Sequence, residues 1–181
     1  MSDDLDEIYM GFAQGISVKS KAKRKKVGAC IVTRNDVTLS GYNGTPKGWD
    51  NVCEDENNVT KPEVIHAELN CVLKAAREGI SLTGSVCYVT LAPCVSCAAM
   101  LFQAGIVRLV YKHKYRNMDG VNLLKKYGVE VVCSEPEGLT YEQWKDHYIP
   151  NWREVPVNGW NDPEEGWTYE YQKYLNSTID N

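Results

Sequence analysis

The sequence lacks several features that would place it outside the ordinary globular class. It has no excess of positive charge, because 20 Lys and Arg stand against 24 Asp and Glu, and the resulting net charge of −4 argues against a protein that coats nucleic acid. The N-terminal segment lacks the apolar run of a signal peptide. Disorder throughout is excluded because 43% of the residues are hydrophobic. A length of 181 residues predicts one domain, or one domain with a tail.

A long stretch without charge, residues 79–107, mimics a membrane span, since it contains no Asp, Glu, Lys or Arg. Glycines and Pro93 interrupt it, however, so we interpret it as a turn, a buried strand and a short helix. The seven cysteines are an odd number, which together with the missing signal peptide favours a reducing, cytoplasmic setting. We therefore expect the cysteines to fill the core or bind metal, and we expect no membrane partner.

Hydrophobic patterns typical of helices and of strands follow each other along the chain, which predicts an α/β fold. The predicted elements are an amphipathic first helix behind Asp3 and Asp4, a hairpin of strands 27–33 and 37–42, a long polar loop 43–63, a helix 66–78, a strand 86–91, a helix 94–104, a strand 106–112, a helix around 120–127 and a strand 129–133. They form a three-layer α/β/α sandwich with a mixed sheet of about five strands. A helix separates the last two strands, which permits parallel pairing. We assign residues 1–134 to this domain and residues 135–181 to an aromatic-rich C-terminal extension of unknown role.

The pattern that indicates chemistry combines His66 and Glu68 with Cys94 and Cys97. Imidazole and thiolate groups are ligands that zinc prefers, and a set of three leaves the fourth position open for water, as in catalytic zinc sites. Cys94 and Cys97 are one turn apart at a predicted helix start, where the helix dipole favours thiolate. Glu68 lies close enough to serve as a general acid/base. The alternative interpretation is a structural zinc site, or a core histidine beside buried thiols.

Positive charge is concentrated in residues 19–26, which hold six of the basic side chains on an otherwise acidic chain. A solvated loop is the simplest interpretation, and a track for a polynucleotide backbone is the alternative. Cys53 lies in the polar loop beside three acidic residues, so a second metal is possible there.

The ordered combination H-x-E and P-C-x-x-C resembles the zinc nucleobase deaminases. The sequence as a whole resembles the deoxycytidylate deaminases of the cytidine deaminase superfamily over residues 1–134. The further segments that support the resemblance are S-K (20–21), V-G-A-C-I-V (27–32), G-Y-N-G-T-P (41–46), H-A-E-L-N (66–70) and K-Y (114–115). A departure from many relatives is Asn117, which stands where they have Asp.

The resemblance implies a cytidine deaminase-like fold and hydrolytic deamination of dCMP to dUMP, the precursor of thymidylate. One catalytic zinc per subunit, on His66, Cys94 and Cys97, would activate water, and Glu68 would shuttle protons to the base and to the leaving ammonia. A deaminase of another cytosine nucleotide, or of cytosine or adenine in a polynucleotide, is the alternative activity. A catalytically inactive zinc-binding scaffold is a further alternative, against which the intact Glu68 argues.

The resemblance also implies roles for residues around the zinc site. The expected substrate-binding residues are Asn43, which would contact the sugar, Thr45, Ala67 and Tyr115, with Lys26 and Arg116 available for the phosphate. Family members are commonly homohexamers activated by dCTP and inhibited by dTTP with Mg²⁺, and the expected effector-binding residues are Gly41, Tyr42, Asn43, Gly44, Lys74 and Arg77. The stretch Gly41–Gly44 is expected to be a flexible loop whose backbone N–H groups can approach phosphates. No nucleic acid partner is expected, and several bacteriophage enzymes are similar, so a phage-encoded chain would act in the host cytoplasm.

Overall fold

Helices and strands alternate along residues 3–135, the part of the chain that the structure, a computed structural model, describes. The elements are helix α1 (Asp3–Ser17), strands β1 (Gly28–Val32) and β2 (Thr38–Tyr42), helix α2 (Ala67–Glu78), strand β3 (Ser85–Leu91), helix α3 (Val95–Gln103), strand β4 (Ile106–His113), helix α4 (Asp119–Lys126) and strand β5 (Glu130–Cys133). The predicted strands and the three later helices agree with these bounds to within one residue.

The strands form a mixed sheet in the order β2-β1-β3-β4-β5. Strand β1 pairs antiparallel with both β2 and β3, whereas β4 pairs parallel with β3 and β5. Parallel neighbours require a crossover, which α3 and α4 provide. The prediction of a mixed sheet whose last two strands are parallel is therefore confirmed.

Side chains alternate across the strands and divide the core into two layers. On one face, α2, α3 and α4 pack on strand residues of alternating position, including Ala29, Ile31, Cys87, Val89, Leu109 and Tyr111. On the other face, Met10 and Ala13 of α1 pack on the intervening residues Cys30, Val32, Tyr88 and Val110. This arrangement is the predicted three-layer α/β/α sandwich.

Helix α1 is fixed to its face of the sheet by a buried polar network. The carboxylate of Asp6 accepts hydrogen bonds from Arg108 at 2.7 and 2.6 Å and from the Tyr88 hydroxyl at 3.0 Å. Burial by itself would raise the pKa of Asp6, but the hydrogen bonds from Arg108 and Tyr88 outweigh burial and hold this pKa below its ordinary value. A further ion pair, from Arg108 to Glu130 at 2.9 Å, ties the network to β5.

The division of the chain after residue 134 stays a prediction. Apart from Glu135, the predicted C-terminal extension, whose role the sequence leaves unknown, lies outside the described residues. Within residues 3–135, no helix is both long enough and apolar enough to cross a membrane.

Candidate metal and catalytic site

Three chain segments meet at the edge of the sheet where β3 ends. Strand β3 ends at Leu91, and Cys94 immediately precedes α3. Because β1 is antiparallel to β3, it begins at this same edge, where the backbone N–H of Gly28 donates to the Thr90 hydroxyl at 3.1 Å. Helix α2 also starts here, directly after His66. The topology thus brings together residues that are about thirty positions apart in the sequence.

His66 and Cys94 both occupy the N-cap position of a helix. Their backbones are extended, with φ −67° and ψ 156° for His66 and φ −70° and ψ 167° for Cys94. Neither side chain makes the hydrogen bond to the helix amides that an N-cap residue usually makes. The imidazole and the thiol are therefore directed elsewhere, toward each other and toward Cys97 one turn into α3.

The separations among these three side chains fit one zinc ion. His66 Nδ1 lies 3.7 Å from Cys94 Sγ and 3.4 Å from Cys97 Sγ, and all three ligand atoms lie within 4.8 Å of one another. Zinc bonds of about 2.3 Å to sulfur and about 2.0 Å to nitrogen, at a tetrahedral angle, place the sulfur and nitrogen atoms about 3.5 Å apart. The donor set and its spacing thus fit a zinc ion with one coordination position left for another ligand.

The electrostatics of the cluster favour thiolate at Cys94. Hydrogen bonds from Cys97 and from the His66 ring lower the pKa of Cys94 to about 3. The hydrogen bond to Cys94, together with burial, raises the pKa of Cys97, the donor in this pair. The start of α3 adds the positive end of a helix dipole at the same place. A soft cation that binds here meets one preformed thiolate and displaces the proton of the second thiol.

Glu68 is a buried carboxyl group beside the cluster. It lies in the first turn of α2, its residue is only 4% exposed, and its carboxyl group interacts electrostatically with His66 and Cys94. Burial raises the pKa of Glu68 above its ordinary value. A raised pKa makes a carboxyl group easier to protonate, which suits a group that both accepts and donates a proton.

The side chain of Asn43 hydrogen-bonds to the backbone of residues 25–27, just before β1. Its Oδ1 accepts the backbone N–H of Val27 at 2.8 Å, and its Nδ2 donates to the carbonyl of Lys25 at 2.9 Å. The carbonyl of Asn43 accepts the Ser20 hydroxyl at 2.8 Å. Asn43 therefore fixes the approach to β1, and one amide hydrogen of Nδ2 is left for the predicted contact with a sugar.

The other predicted substrate residues differ in their exposure. Ala67 is fully buried behind the ligand His66, whereas Lys26 is exposed to solvent. The Thr45 hydroxyl donates to the carbonyl of Asp50 at 2.5 Å, so its proton is used within the long loop. Tyr115 packs partly on the core, and the Arg116 guanidinium lies 5.6 Å from the centre of its ring.

The backbone of the expected effector segment, Gly41–Gly44, is hydrogen-bonded to neighbouring segments. Gly41 and Tyr42 end strand β2, and the amides of Asn43 and Gly44 donate to the carbonyls of Val27 and Ile65, each at 3.1 Å. The expectation of a flexible loop with available amides is wrong for these residues. A Cβ at Gly41 would lie 2.4 Å from the carbonyl of Ala67, so this glycine allows β2 to approach α2 closely.

The two effector cations on α2 also differ from each other. Lys74 is half-buried and its ammonium donates to the carbonyl of Ser40, whereas Arg77 is exposed and pairs with its neighbour Glu78 at 2.9 Å. Lys74 therefore fastens α2 to the edge strand β2. Only Arg77 presents its charge fully to solvent.

The remaining metal candidates do not form a second cluster. Cys53 is 1% exposed and packs with Ala22 and Val64. Among residues 3–135, the single group of three or more possible ligands with this spacing is His66, Cys94 and Cys97. His113 contacts Glu135 at 3.0 Å, and His147 lies outside the described residues.

Two residues that matter to this edge escape detection in the sequence. Glu54 is buried and accepts backbone hydrogen bonds from Lys23 and Arg24. Gly120, at the start of α4, lies directly against the backbone of Pro93 and Cys94. An acidic run and a lone glycine give no signal of such contacts, because both depend on parts of the chain that are far apart in sequence.

Comparison with known proteins finds one family. Residues 3–113 match the model of the cytidine and deoxycytidylate deaminase zinc-binding region. Deoxycytidylate deaminase of Enterobacteria phage T4 is 32% identical over 72% of this chain and 90% of its own, and the Homo sapiens deoxycytidylate deaminase is 34% identical over 62% and 67%. Among solved structures, dCMP deaminase from cyanophage S-TIM5 in complex with dCMP and dUMP is 42% identical, with a TM-score of 0.69 over 72% of this chain and 97% of that one.

Proposed function

Because the chain belongs to the cytidine and deoxycytidylate deaminase family, we propose that it catalyses the hydrolytic deamination of dCMP to dUMP and ammonia. The observation that carries the proposal is the buried Glu68 next to the cluster of His66, Cys94 and Cys97. The choice of dCMP is supported by the phage and human relatives, which are deoxycytidylate deaminases, and by the similar cyanophage enzyme that binds dCMP and dUMP.

The cluster and Glu68 have separate tasks in this reaction. His66, Cys94 and Cys97 would hold zinc, which when bound supplies a water molecule acidified to near-neutral pKa. Glu68 takes a proton from that water on a carboxylate oxygen and donates it to N3 of the cytosine ring. The carboxylate then takes the proton of the new C4 hydroxyl and passes it to the amino nitrogen at C4 as it leaves. The C4–N bond is replaced by a C4–O bond, and one water is consumed for each ammonia released.

Substrate recognition is proposed for the residues that surround this edge of the sheet. Asn43, Thr45, Ala67 and Tyr115 would contact the base and sugar. Lys26 and Arg116 would contact the phosphate, since both side chains are exposed cations. The hydrogen bond between Asn43 and Val27 supports this assignment. Val27 directly follows Lys26, and Asn43 directly precedes Gly44, which pairs with Ile65 next to His66.

A single assay tests the proposed function against its alternatives. Purified protein is incubated separately with dCMP, dCTP, deoxycytidine and single-stranded DNA, and the loss of cytosine absorbance is followed. We expect turnover of dCMP at the highest kcat/KM. Preferred turnover of single-stranded DNA would identify a polynucleotide deaminase, preferred turnover of dCTP or deoxycytidine would identify another cytosine substrate, and no turnover by zinc-loaded protein would identify an inactive scaffold.

Regulation, assembly and pathway are further parts of the proposal, and they are supported by the resemblance to the family. The enzyme would be a homohexamer that supplies dUMP for thymidylate synthesis, activated by dCTP and inhibited by dTTP with Mg²⁺. Arg77, an exposed cation that pairs with its neighbour Glu78, would contact the effector triphosphate. Light scattering measures the assembly, and dCMP turnover with added dCTP, or with dTTP and Mg²⁺, measures the response. Unchanged rates with both effectors would contradict the regulatory part alone.

A further inference from the structure

The basic segment, defined here as residues 20–27, has an unusual construction. It links α1 to β1 without helix or strand, and its five Lys and Arg side chains are all exposed. Neighbouring positive charges repel one another, and this segment has no helix or strand hydrogen bonding of its own to hold one shape against that repulsion. The backbone of this segment must therefore be held from outside.

Glu54 holds the middle of the basic segment. Its Oε1 accepts the backbone N–H of Lys23 at 3.0 Å and that of Arg24 at 3.2 Å. The glutamate residue is only 6% exposed, although it stands in the most polar part of the long loop. Beneath it, Ala22 of the segment packs with Cys53 and Val64. One carboxylate oxygen thus fixes two consecutive amides, and an apolar contact supports it.

Glu54 is itself held by its own loop. It forms an antiparallel bridge with Thr60, and the carbonyl of Cys53 accepts the N–H of Lys61 at 2.9 Å. The Arg24 guanidinium lies 3.5 Å from the Thr60 hydroxyl, at the outer limit of a hydrogen bond. The acceptor therefore sits on a paired stretch of loop and can impose its position on the basic segment.

The far end of the basic segment is coupled to the metal cluster. Asn43 bonds to both Lys25 and Val27, and the next residue, Gly44, pairs with Ile65 in a two-way backbone bridge of 3.1 and 2.9 Å. Ile65 immediately precedes the ligand His66. The segment also enters β1 at the edge of the sheet where β3 leads to Cys94. The C-terminal end of the basic segment therefore lies at the same end of the sheet as the metal cluster.

We infer that Glu54 is a positioning residue for the phosphate of the nucleotide substrate: by accepting the amides of Lys23 and Arg24, it fixes the basic segment so that its cations stay at the rim of the metal site. The inference rests on the proposed function. It assigns to Glu54 no contact with substrate, and its effect on the phosphate passes through the backbone of the segment. The length of the Glu54 side chain, which brings its oxygen to the two amides, matters more for this role than its negative charge.

Two substitutions of Glu54 separate the effect of side-chain length from the effect of negative charge. Glu54→Asp keeps the charge but withdraws the carboxylate by one methylene, so both amides lose their acceptor. Glu54→Gln removes the charge but keeps an oxygen at the same reach. We expect Glu54→Asp to raise the KM for dCMP about tenfold with kcat within threefold of wild type, and Glu54→Gln to raise it less than threefold. The kcat/KM for deoxycytidine, which has no phosphate, should stay within threefold in both variants.

The matched control is Asp6→Asn, since Asp6 is also a buried carboxylate but lies in α1 on the opposite face of the sheet. It should lower stability without changing the KM for dCMP. Circular dichroism confirms that each variant is folded. A larger KM for Glu54→Gln than for Glu54→Asp, or an equal loss for dCMP and deoxycytidine, overturns the inference. Absence of dCMP turnover in the wild type would instead refute the proposed function, so the two failures are distinguishable.

Discussion

Gly120→Ala should damage the metal site although Gly120 is neither a ligand nor a substrate contact. A Cβ at this position would lie 2.2 Å from the carbonyl oxygen of Pro93 and 2.8 Å from the carbonyl carbon and oxygen of Cys94. All three atoms belong to the backbone, so no flexible side chain can move aside. The approach of α4 to the ligand-bearing turn therefore requires glycine.

The size of the effect follows from these distances. Real Cβ contacts are essentially never closer than 3.0 Å, so the Pro93 carbonyl and the new methyl must separate by at least 0.8 Å, the difference between 3.0 and 2.2 Å. Metal–ligand distances in zinc sites are expected to lie within about 0.2 Å of their standard values. Misplacement of catalytic geometry by about 1 Å costs about 10²-fold in rate. Overpacking of this kind also lowers the free energy of unfolding by about 1–3 kcal/mol.

Three measurements on Gly120→Ala check this reasoning: zinc retained after dialysis against a chelator, kcat for dCMP, and the urea midpoint of unfolding. The matched control is Gly11→Ala, the same change in helix α1, where a Cβ would meet no atom within 4 Å. The control should keep full activity and gain up to about 1 kcal/mol of stability from helix propensity. Normal zinc retention and turnover in Gly120→Ala would show that α4 moves instead of Cys94, and would refute the link to the metal site.

Three further predictions concern the ligands, the proton shuttle and the structural network on the opposite face. The double variant Cys94→Ala/Cys97→Ala should lose zinc in elemental analysis, because only the His66 ligand remains, and full retention would place the metal elsewhere. Glu68→Gln should keep its zinc but lose more than about 10²-fold in kcat, because its amide cannot exchange protons, and near-normal turnover would reassign the shuttle. Asp6→Asn should lower the free energy of unfolding at pH 7 by about 3 kcal/mol, because Arg108 loses its buried partner. The pKa of Asp6 is lowered in the folded state, so its contribution is present above the unfolded pKa of about 3.9 and is lost as pH falls through the folded value. The variant should therefore show a flatter acid limb in urea titrations, and an unchanged limb would count against the assigned role of Asp6.

The parts of the fold that could be predicted depend on short-range patterns. Cys94 and Cys97 are three residues apart, and their spacing after Pro93 predicts a helix that begins at the ligands, as it does in the structure. The parallel pairing of β4 and β5 follows from the helix between them, because a crossover is the ordinary connection of parallel strands. Helix starts and crossovers are encoded by neighbouring residues, so a single sequence is enough to locate them.

The contacts that the sequence could not supply join distant segments. Glu54 and Lys23 are 31 residues apart, and the acidic run at residues 54–56 gives no reason to choose Glu54 as its buried member. The segment Gly41–Gly44 was expected to be a flexible loop with free backbone amides, because glycine has no side chain to obstruct an approaching phosphate. One of its two glycines instead permits close packing of β2 on α2, and the amide of the other pairs with Ile65. Composition indicates that glycine is needed at such a position, but tertiary contacts decide whether the reason is flexibility or proximity.

The position of the ligands explains why this edge of the sheet is sensitive to residues that touch no substrate. His66 and Cys94 occupy N-cap positions without capping their helices, so the first amides of α2 and α3 have no partner in these side chains. The positive ends of both helices then favour thiolate at the cluster, in the same direction as the hydrogen bonds that lower the pKa of Cys94. An N-cap residue, however, is fixed only on its helical side. The approach to His66 must be held by the bridge between Gly44 and Ile65, and the turn at Cys94 by its contact with Gly120. A site built in this way obtains its electrostatics from the helices and its geometry from the segments that precede them. Substitutions in those segments should therefore weaken metal binding even when the protein still folds.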